Sequence, residues 1–174
     1  KTDYQTIPRV IGQIARKWNV GIIALWYPIL QSGAHIAMLA ALDPQWLAAK
    51  DLKPDVIKGI IGLAGPYDFL PLTSDSSKIA LGQWPDLTET QPITYARGDA
   101  PPLLLLTGDK DTVVKPRNSK ILSEKIQALG GQQQLKIYPG VGHADIIMAV
   151  ARPFRQKAPI VTDVVNFIKS HNPN

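Results

Sequence analysis

The sequence of 174 residues contains no cysteine. This absence excludes disulfide bonds, thiolate metal sites and a cysteine nucleophile, although it does not fix the cellular compartment. No apolar run reaches the length that a membrane-spanning helix requires, and no secretory leader pattern opens the chain. Because the sequence begins at Lys1 without a methionine, we expect that upstream residues were removed or never included. The location therefore stays open between cytoplasm, periplasm and a secreted protein.

A concentrated basic surface is also missing. Nineteen Lys and Arg against fourteen Asp and Glu give a net charge of +5, but the basic residues are dispersed along the chain. No basic stripe with interleaved aromatics occurs, so nucleic acid is not a predicted partner. No G-x-G-x-x-G follows a predicted strand, which argues against a nucleotide-binding domain. The length and the 45% hydrophobic content predict one globular domain over residues 1–174.

The most informative stretch is residues 101–116, PPLLLLTGDKDTVVKP. The leucine run at 103–106, bounded by turn residues, predicts a strand buried on both faces, as in parallel sheets. Asp109 and Asp111 follow at its carboxyl end, where open α/β sheets place their chemistry. After a helix predicted over residues 117–129, a second strand at 134–138 leads into YPGVGH and His143. A carboxylate that orients an imidazole is half of a nucleophilic triad.

These motifs resemble a known family. GDKDTVV and YPGVGH are similar to the acid and histidine loops of the α/β-hydrolases. Together with SGAHIAMLAALDP, IIGLAGPYDFLPL and QPITYARGDAPPLLLLTG, they resemble the bacterial esterases with an HGGGW-type oxyanion loop. That branch includes carboxylesterases, feruloyl-esterase-like and arylformamidase-like proteins. The resemblance covers nearly the whole chain from residue 31 onward.

The resemblance implies an α/β-hydrolase fold, with a mostly parallel sheet flanked by helices. The chain would hold mainly the C-terminal portion of that fold. It also implies a serine hydrolase that cleaves small-molecule carboxylic esters through an acyl-enzyme, with no cofactor and no metal. The alternative is a catalytically inactive remnant of the fold that binds a ligand or a partner.

Ser32 in the stretch QSGAH is the predicted nucleophile. The usual elbow pattern is G-x-S-x-G, whereas here Leu30 stands where the leading glycine is expected. A strict alignment places Gln31 opposite the nucleophile, and allowing one missing residue places Ser32 there. Ser32 is chosen because glutamine cannot attack a carbonyl. The alternative is that Ser32 is the N-cap of a helix predicted over residues 33–42.

His143 and Asp111 complete the predicted triad, in the chain order of α/β-hydrolases. His143 would act as general base, and Asp111 would orient its ring. Taken alone, Asp111 also fits a turn aspartate that caps the following helix, and His143 fits a loop histidine bonded to backbone. Asp109 is interpreted as a turn residue. Asp68, which also follows a strand, is assigned to structure, and His35 to packing or the helix surface.

The oxyanion hole is incomplete in the sequence. The backbone N–H of Gly33 is one predicted donor, but no HGG-type cluster supplies the second. Tyr67 and Trp84 are predicted to contact substrate. Trp84 belongs to residues 69–97, a polar and proline-punctuated segment that we interpret as an insertion shaping the mouth of the site.

The remaining elements are predicted from periodicity. A helix is expected over residues 4–18 and a buried strand over 20–25. A final helix is expected over 159–170, with Val161, Val164, Val165 and Ile168 inward. Only five residues separate the strand at 20–25 from the elbow, where the resemblance implies a further helix and strand. The sequence therefore predicts a break in the native polypeptide between Pro28 and Gly33.

Overall fold

The computed structural model describes residues 22–23 and 30–171, with side chains from residue 33 onward. Within this part of the chain, one sheet has the strand order β1-β2-β3-β4. The strands are Ile22–Ile23 (β1), Gly59–Leu63 (β2), Leu103–Gly108 (β3) and Gln133–Tyr138 (β4). The helices are Leu30–Leu42 (α1), Gln45–Ala48 (α2), Asp75–Leu81 (α3), Arg117–Ala128 (α4), His143–Met148 (α5) and Ile160–His171 (α6). Every neighbouring strand pair is parallel, so the predicted parallel sheet with flanking helices is confirmed.

Strand β3 has a neighbouring strand on each side, and its leucines are buried on both faces of the sheet. Leu103 and Leu105 enter one hydrophobic cluster, and Leu104 and Leu106 enter the other. This alternation follows from the period of two in a strand, where successive side chains point to opposite faces. β3 pairs with β2 on one side and with β4 on the other. The leucine run therefore contributes side chains to the hydrophobic clusters on both faces of the sheet.

The first core lies between the sheet and the helices α1 and α4. Helix α1 supplies a run of small and medium apolar side chains, and α4 supplies one buried stripe with Leu122 and Ile126. Helix α1 ends at Leu42, where Arg97 donates from Nε to the carbonyl of Leu42 at 3.0 Å and from Nη2 to that of Ala41 at 3.1 Å. A cation at this end satisfies terminal carbonyls and complements the helix dipole.

The second core lies between the opposite face of the sheet and the helices α5 and α6. Ile160 and Phe167 are the buried residues of α6, and Val164 and Ile168 pack against the same cluster. The prediction that Val165 points inward is wrong, since this side chain is 39% exposed. Helical geometry explains the error, because positions 160, 164, 167 and 168 share one face that position 165 does not.

The observed elements match most predicted ones within a few residues. The strand predicted over residues 20–25 is represented by β1, which pairs with β2. The helix predicted over 4–18 lies outside the described residues, as do positions 28 and 29 of the expected break. From Leu30 to Gly33 the backbone is continuous helix. Residues 69–97 form α3 and two short 3₁₀ segments, Leu87–Thr90 and Pro92–Tyr95. No described helix has the length and apolar character needed to span a membrane.

Candidate active site

The loops after β3 and β4 meet at the carboxyl edge of the sheet. The N–H of Asp109 donates to the carbonyl of Tyr138 at 3.1 Å, and that of Lys110 donates to Val141 at 3.1 Å. In return, the N–H of Gly140 donates to Asp109 Oδ1 at 2.7 Å. Asp109 therefore braces the two loops against each other, in keeping with its interpretation as a turn residue.

Gly108 permits this close approach of the two loops. A Cβ atom built at this position would lie 2.0 Å from the carbonyl oxygen of Val141. Any other residue would push the loops apart, because a carbon and an oxygen cannot approach so closely. The glycine after the leucine run is therefore a steric requirement of the site.

Asp111 and His143 form a direct pair across these loops. Asp111 Oδ2 lies 2.7 Å from His143 Nδ1. Asp111 Oδ1 accepts the N–H groups of Val113 at 2.9 Å and Val114 at 2.8 Å. The Asp111 side chain is 0% exposed and that of His143 is 17% exposed. The predicted hydrogen-bond contact between Asp111 and His143, at adjacent strand ends, is confirmed.

This geometry assigns the protons of the pair. An ionised carboxylate only accepts hydrogen bonds, so Nδ1 of His143 donates to Asp111. In the neutral ring, the bare Nε2 then remains to accept a proton. Among the described residues, none hydrogen bonds to Nε2. Asp111 also caps the turn at residues 113–114, but not helix α4, which starts at Arg117. The alternative that Asp111 caps the following helix is therefore wrong, and its carboxylate closes the turn at residues 113–114 while it contacts His143.

A second acid steadies the start of α5, on which His143 lies. Asp145 Oδ2 accepts the N–H of Gly142 at 3.4 Å, and Oδ1 pairs with Lys157 Nζ at 2.5 Å. The hydrogen bond from Lys157, supported by the one from Gly142, lowers the pKa of the Asp145 carboxyl. The loop between β4 and α5 is therefore held by hydrogen bonds at both of its ends.

Ser32 lies in the first turn of α1, which begins at Leu30. The helix therefore starts three residues before its predicted start, so Ser32 does not have the backbone position of an N-cap. The Ser32 side chain lies outside the described part of the structure, and its role as nucleophile stays a prediction. Gly33 is buried in the same turn, and its role as an oxyanion donor also stays a prediction.

Tyr67 is not at the surface of the site. Its side chain is 0% exposed and belongs to the core under α1. The hydroxyl oxygen packs against Gly62 and Gly65. A Cβ atom added at Gly62 would lie 1.9 Å from this oxygen, and one added at Gly65 would lie 2.5 Å from it. It makes no hydrogen bond of normal geometry among the described residues, and burial raises its pKa. The structure gives Tyr67 a packing position rather than the predicted one on a pocket wall.

Trp84, the other predicted substrate contact, is partly buried within residues 69–97. Its Nε1 donates to Glu89 Oε2 at 3.0 Å. The contact of Trp84 with substrate stays a prediction.

Asn118 is a residue that the sequence reasoning missed. Its Oδ1 accepts the N–H groups of both Tyr67 and Asp68 at 2.9 Å, so it fixes the loop after β2. Asp68 Oδ2 lies 3.0 Å from Arg117 Nη2, which agrees with its assignment to structure. An asparagine in the first turn of a predicted helix is the sequence signal that could have singled out Asn118.

His35 is buried on α1, as one of its two interpretations required. Its Nε2 lies 2.6 Å from the carbonyl of Thr90, and its ring meets Phe69 edge-on with centroids 5.5 Å apart. Burial lowers the pKa of His35, and the hydrogen bond to Thr90 offsets this only in part. Gln91 extends the contact, since it accepts the N–H of Phe69 at 2.8 Å and donates to Thr90 Oγ1 at 2.8 Å. This network anchors residues 69–97 to α1.

A cavity of about 370 Å³ opens between α1, α3 and the loop after Asp111. His35 and Ile36 of α1 line it, together with Val113 and Val114 of the acid loop. Phe69 and several residues of α3 close the far side. Its size falls within the range of small-molecule sites.

Comparisons with known proteins agree with this architecture. The BD-FAE family model matches residues 29–126, more than half of the chain. The isoprenylcysteine alpha-carbonyl methylesterase ICME of Arabidopsis thaliana is 26% identical over 166 residues, covering 81% of this chain and 38% of that protein. The chain thus spans well under half the length of this curated relative.

Solved structures match over a similar share of the chain. A truncated carbohydrate esterase from gut microbiota superposes with a TM-score of 0.64 at 19% identity, covering 81% of this chain and 57% of that one. Thermogutta terrifontis esterase 2, phosphonylated by sarin, gives 0.60 at 14% identity, covering 82% and 56%. These likenesses confirm the predicted α/β-hydrolase fold. The chain belongs to the BD-FAE family and has part of an α/β-hydrolase fold.

Proposed function

We propose that this chain carries the catalytic residues of a carboxylic ester hydrolase, with Ser32 as nucleophile, His143 as base and Asp111 as orienting acid. The observation that carries the proposal is the buried 2.7 Å contact between Asp111 Oδ2 and His143 Nδ1. This contact leaves Nε2 of His143 as a hydrogen-bond acceptor at the carboxyl edge of the sheet. The similarity to the Arabidopsis methylesterase and to solved esterases supports the reaction class.

In the proposed reaction, the Ser32 hydroxyl oxygen attacks the ester carbonyl carbon while its proton passes to His143 Nε2. The tetrahedral intermediate collapses, and the alcohol leaves with that proton. Water then attacks the acyl-enzyme and gives a proton to His143. The carboxylic acid departs as the proton returns to Ser32. Asp111 stabilises the imidazolium in both halves without taking the proton.

The oxyanion that forms in each half needs at least two hydrogen-bond donors. The N–H of Gly33 is the donor proposed from this chain, and the second comes from an upstream loop. Removing one such donor costs about two to three decades in rate in serine hydrolases. The upstream loop is therefore part of this proposal.

Hydrolysis of p-nitrophenyl acetate and butyrate tests the proposal. We expect Ser32→Ala and His143→Ala to lower kcat by several decades, and Asp111→Asn by about four decades. Asp68→Asn is the matched control, because Asp68 also follows a strand but pairs with Arg117. Equal losses in Asp68→Asn and Asp111→Asn would contradict the assignment. A folded protein that includes the upstream loop and shows no turnover in any form would favour the inactive remnant.

The sarin-modified state of Thermogutta terrifontis esterase 2 suggests a second probe. An organophosphorus reagent bonds to an activated serine and loses its leaving group, so it reports the nucleophile without an ester substrate. A fluorophosphonate is therefore suited to this chain as well.

A further inference from the structure

A second cavity, of about 340 Å³, lies at the amino edge of the sheet. Its walls include Pro102 and Leu103, where β3 begins, and Phe167, whose ring fills the space over Gly59 at the start of β2. The proposed triad lies at the opposite, carboxyl edge. Because the six residues of β3 extend over about 16 Å, a ligand in this cavity is outside hydrogen-bond reach of the triad.

Four glutamine side chains line this cavity. Gln127 lies near the end of α4, and Gln132, Gln133 and Gln134 follow one another where β4 begins. Each side-chain amide carries one carbonyl acceptor and two N–H donors. Lys, Arg, Asp and Glu are absent from the lining as far as the chain is described. The glutamines therefore supply donors and acceptors together, without a formal charge that would pair with an ionic ligand.

Hydrogen bonds orient part of this set of amides. Oε1 of Gln133 accepts from Ser123 Oγ at 2.6 Å, and Nε2 of Gln133 lies 3.5 Å from Gln127 Oε1. The Nε2 group of Gln127 is left to donate elsewhere. Within residues 30–171, the side chains of Gln132 and Gln134 make no hydrogen bond. The cavity thus combines two amides of fixed orientation with two whose full hydrogen-bonding capacity remains for a ligand.

His171 adds a ring with a defined acceptor. Its Nδ1 lies 2.9 Å from the carbonyl oxygen of Phe167 and 2.9 Å from Ser170 Oγ. A carbonyl oxygen only accepts, so Nδ1 donates and the neutral ring keeps Nε2 as an acceptor. The rings of His171 and Phe167 have centroids 4.4 Å apart. Together with Leu103, they give the cavity an apolar surface beside its amides.

This combination fits an uncharged ligand with several hydroxyl groups. Each hydroxyl donates and accepts, as the amides do. A sugar ring carries hydroxyls around its edge and C–H groups on its faces, and these faces suit the apolar surface. The volume falls within the range of small-molecule sites.

We propose that the cavity at the amino edge is a second, non-catalytic binding site for a sugar or another polyol. It holds the hydroxyl-rich part of a ligand on the side of the sheet that faces away from the triad. The proposal goes beyond ester hydrolysis and does not depend on it.

Titration with the methyl glycosides of glucose, galactose and xylose tests the site, followed by side-chain chemical shifts. A binding glycoside should shift the amides of Gln127, Gln133 and Gln134 and the ring of His171, with a Kd of roughly 1–10 mM. Cyclohexanol keeps a six-membered ring but has a single hydroxyl, so it should bind at least about fivefold more weakly. Equal affinity for cyclohexanol, or no shift at these residues with any glycoside up to about 50 mM, would overturn the proposal.

Three glutamine substitutions provide matched variants. Gln127 and Gln134 line the cavity and are exposed, so their replacement should leave the fold intact. Gln127→Leu and Gln134→Leu should each weaken glycoside binding by about threefold to tenfold. Gln156→Leu, at an exposed glutamine outside the lining, should not change it. Equal losses in all three variants would contradict the site.

Ser32→Ala separates this site from the proposed triad. The variant should bind the glycoside with wild-type affinity, and a loss of binding would place the sugar at the carboxyl edge and overturn the inference. Glycoside binding at the amino edge in a protein that includes the upstream loop but hydrolyses no ester would support the site and refute the proposed function.

A hexasaccharide of the sugar that binds identifies the source of the ligand. Tighter binding of the hexasaccharide than of the methyl glycoside, with shifts at the same four residues, assigns the cavity to one unit of a polysaccharide. Equal affinities with the same shifts assign it to a free sugar. Hexasaccharide shifts that avoid Gln127, Gln133, Gln134 and His171 would contradict both assignments.

Discussion

Asp111→Asn is the substitution that probes the proposed machinery most sharply, because it is nearly isosteric. The carboxylate makes three hydrogen bonds, two from the backbone N–H groups of Val113 and Val114 and one from His143 Nδ1. The asparagine side chain can keep the first two only if its carbonyl oxygen takes the Oδ1 position. Its amide N–H₂ then faces His143. Nδ1 of the ring must become an acceptor, and Nε2 must carry the proton.

The expected effects follow from this inversion. A hydrogen bond to a charged group contributes about 1.5–3 kcal/mol, against roughly 1 kcal/mol for a neutral one. The variant should therefore lose about 1–2 kcal/mol of unfolding free energy, or about 2–8 °C in Tm for a chain of this size. Catalysis should fall much further, by about four decades, because Nε2–H cannot accept the serine proton.

Nitrogen chemical shifts of the His143 ring report the tautomer without any need for turnover. For the neutral ring, we expect the Nδ1–H form in the wild type and the Nε2–H form in Asp111→Asn. Asp109→Asn is a suitable comparison, since Asp109 accepts from the N–H of Gly140 and not from the ring. An unchanged tautomer in Asp111→Asn would refute the proton assignment.

Three further substitutions test the packing around the site. Gly108→Ala should cost about 2–4 kcal/mol in urea denaturation, because its Cβ would lie 2.0 Å from the Val141 carbonyl oxygen; a loss below about 0.5 kcal/mol would contradict the close approach. Tyr67→Phe removes a buried hydroxyl that makes no hydrogen bond of normal geometry among the described residues, so the free energy of unfolding should stay equal or rise by about 1 kcal/mol, and a clear loss would reveal a partner. Burial lowers the pKa of His35 from its ordinary value of 6.5. Below that pH the unfolded chain therefore binds more protons than the folded chain. Stability should therefore fall from pH 7.5 to 5.5, by at most about 1.4 kcal/mol per pH unit, and His35→Phe should remove this component; equal pH slopes would contradict it.

The sheet and the acid–histidine pair could be predicted from the sequence because both depend on local patterns. The leucine run at residues 103–106 is apolar enough to be buried on both faces, and turn residues mark its ends. Asp111 and His143 each follow a predicted strand by a few residues. Parallel strands that are neighbours place their carboxyl ends together, so the meeting of the two side chains follows from the topology.

The parts that sequence reasoning missed depend on contacts between distant segments. Tyr67 follows a strand in a motif that suggests a pocket wall, yet its ring turns into the space left by Gly62 and Gly65. Asn118 fixes a loop some fifty positions earlier in the chain, as its bonds to the N–H groups at 67 and 68 show. Nothing in the local pattern of α4 specifies that distant partner.

The error in the last helix has a different origin. Valine at position 165 is apolar and was placed inward on that ground, although the helix buries Ile160 and Phe167 instead. Composition alone did not choose between two overlapping apolar faces. The choice is made by packing, because Phe167 fills the space over Gly59, where an added Cβ would lie 3.0 Å from its ring.

The central claim is that Ser32 is a nucleophile activated by His143, and covalent labelling tests it most directly. A fluorophosphonate should form an Oγ–P bond with loss of fluoride, and peptide mass mapping should place a single adduct on Ser32. Ser32→Ala and His143→Ala should abolish labelling, whereas Ser170→Ala, at the far end of α6, should retain it. An adduct on another serine, or labelling that persists in Ser32→Ala, would contradict the account.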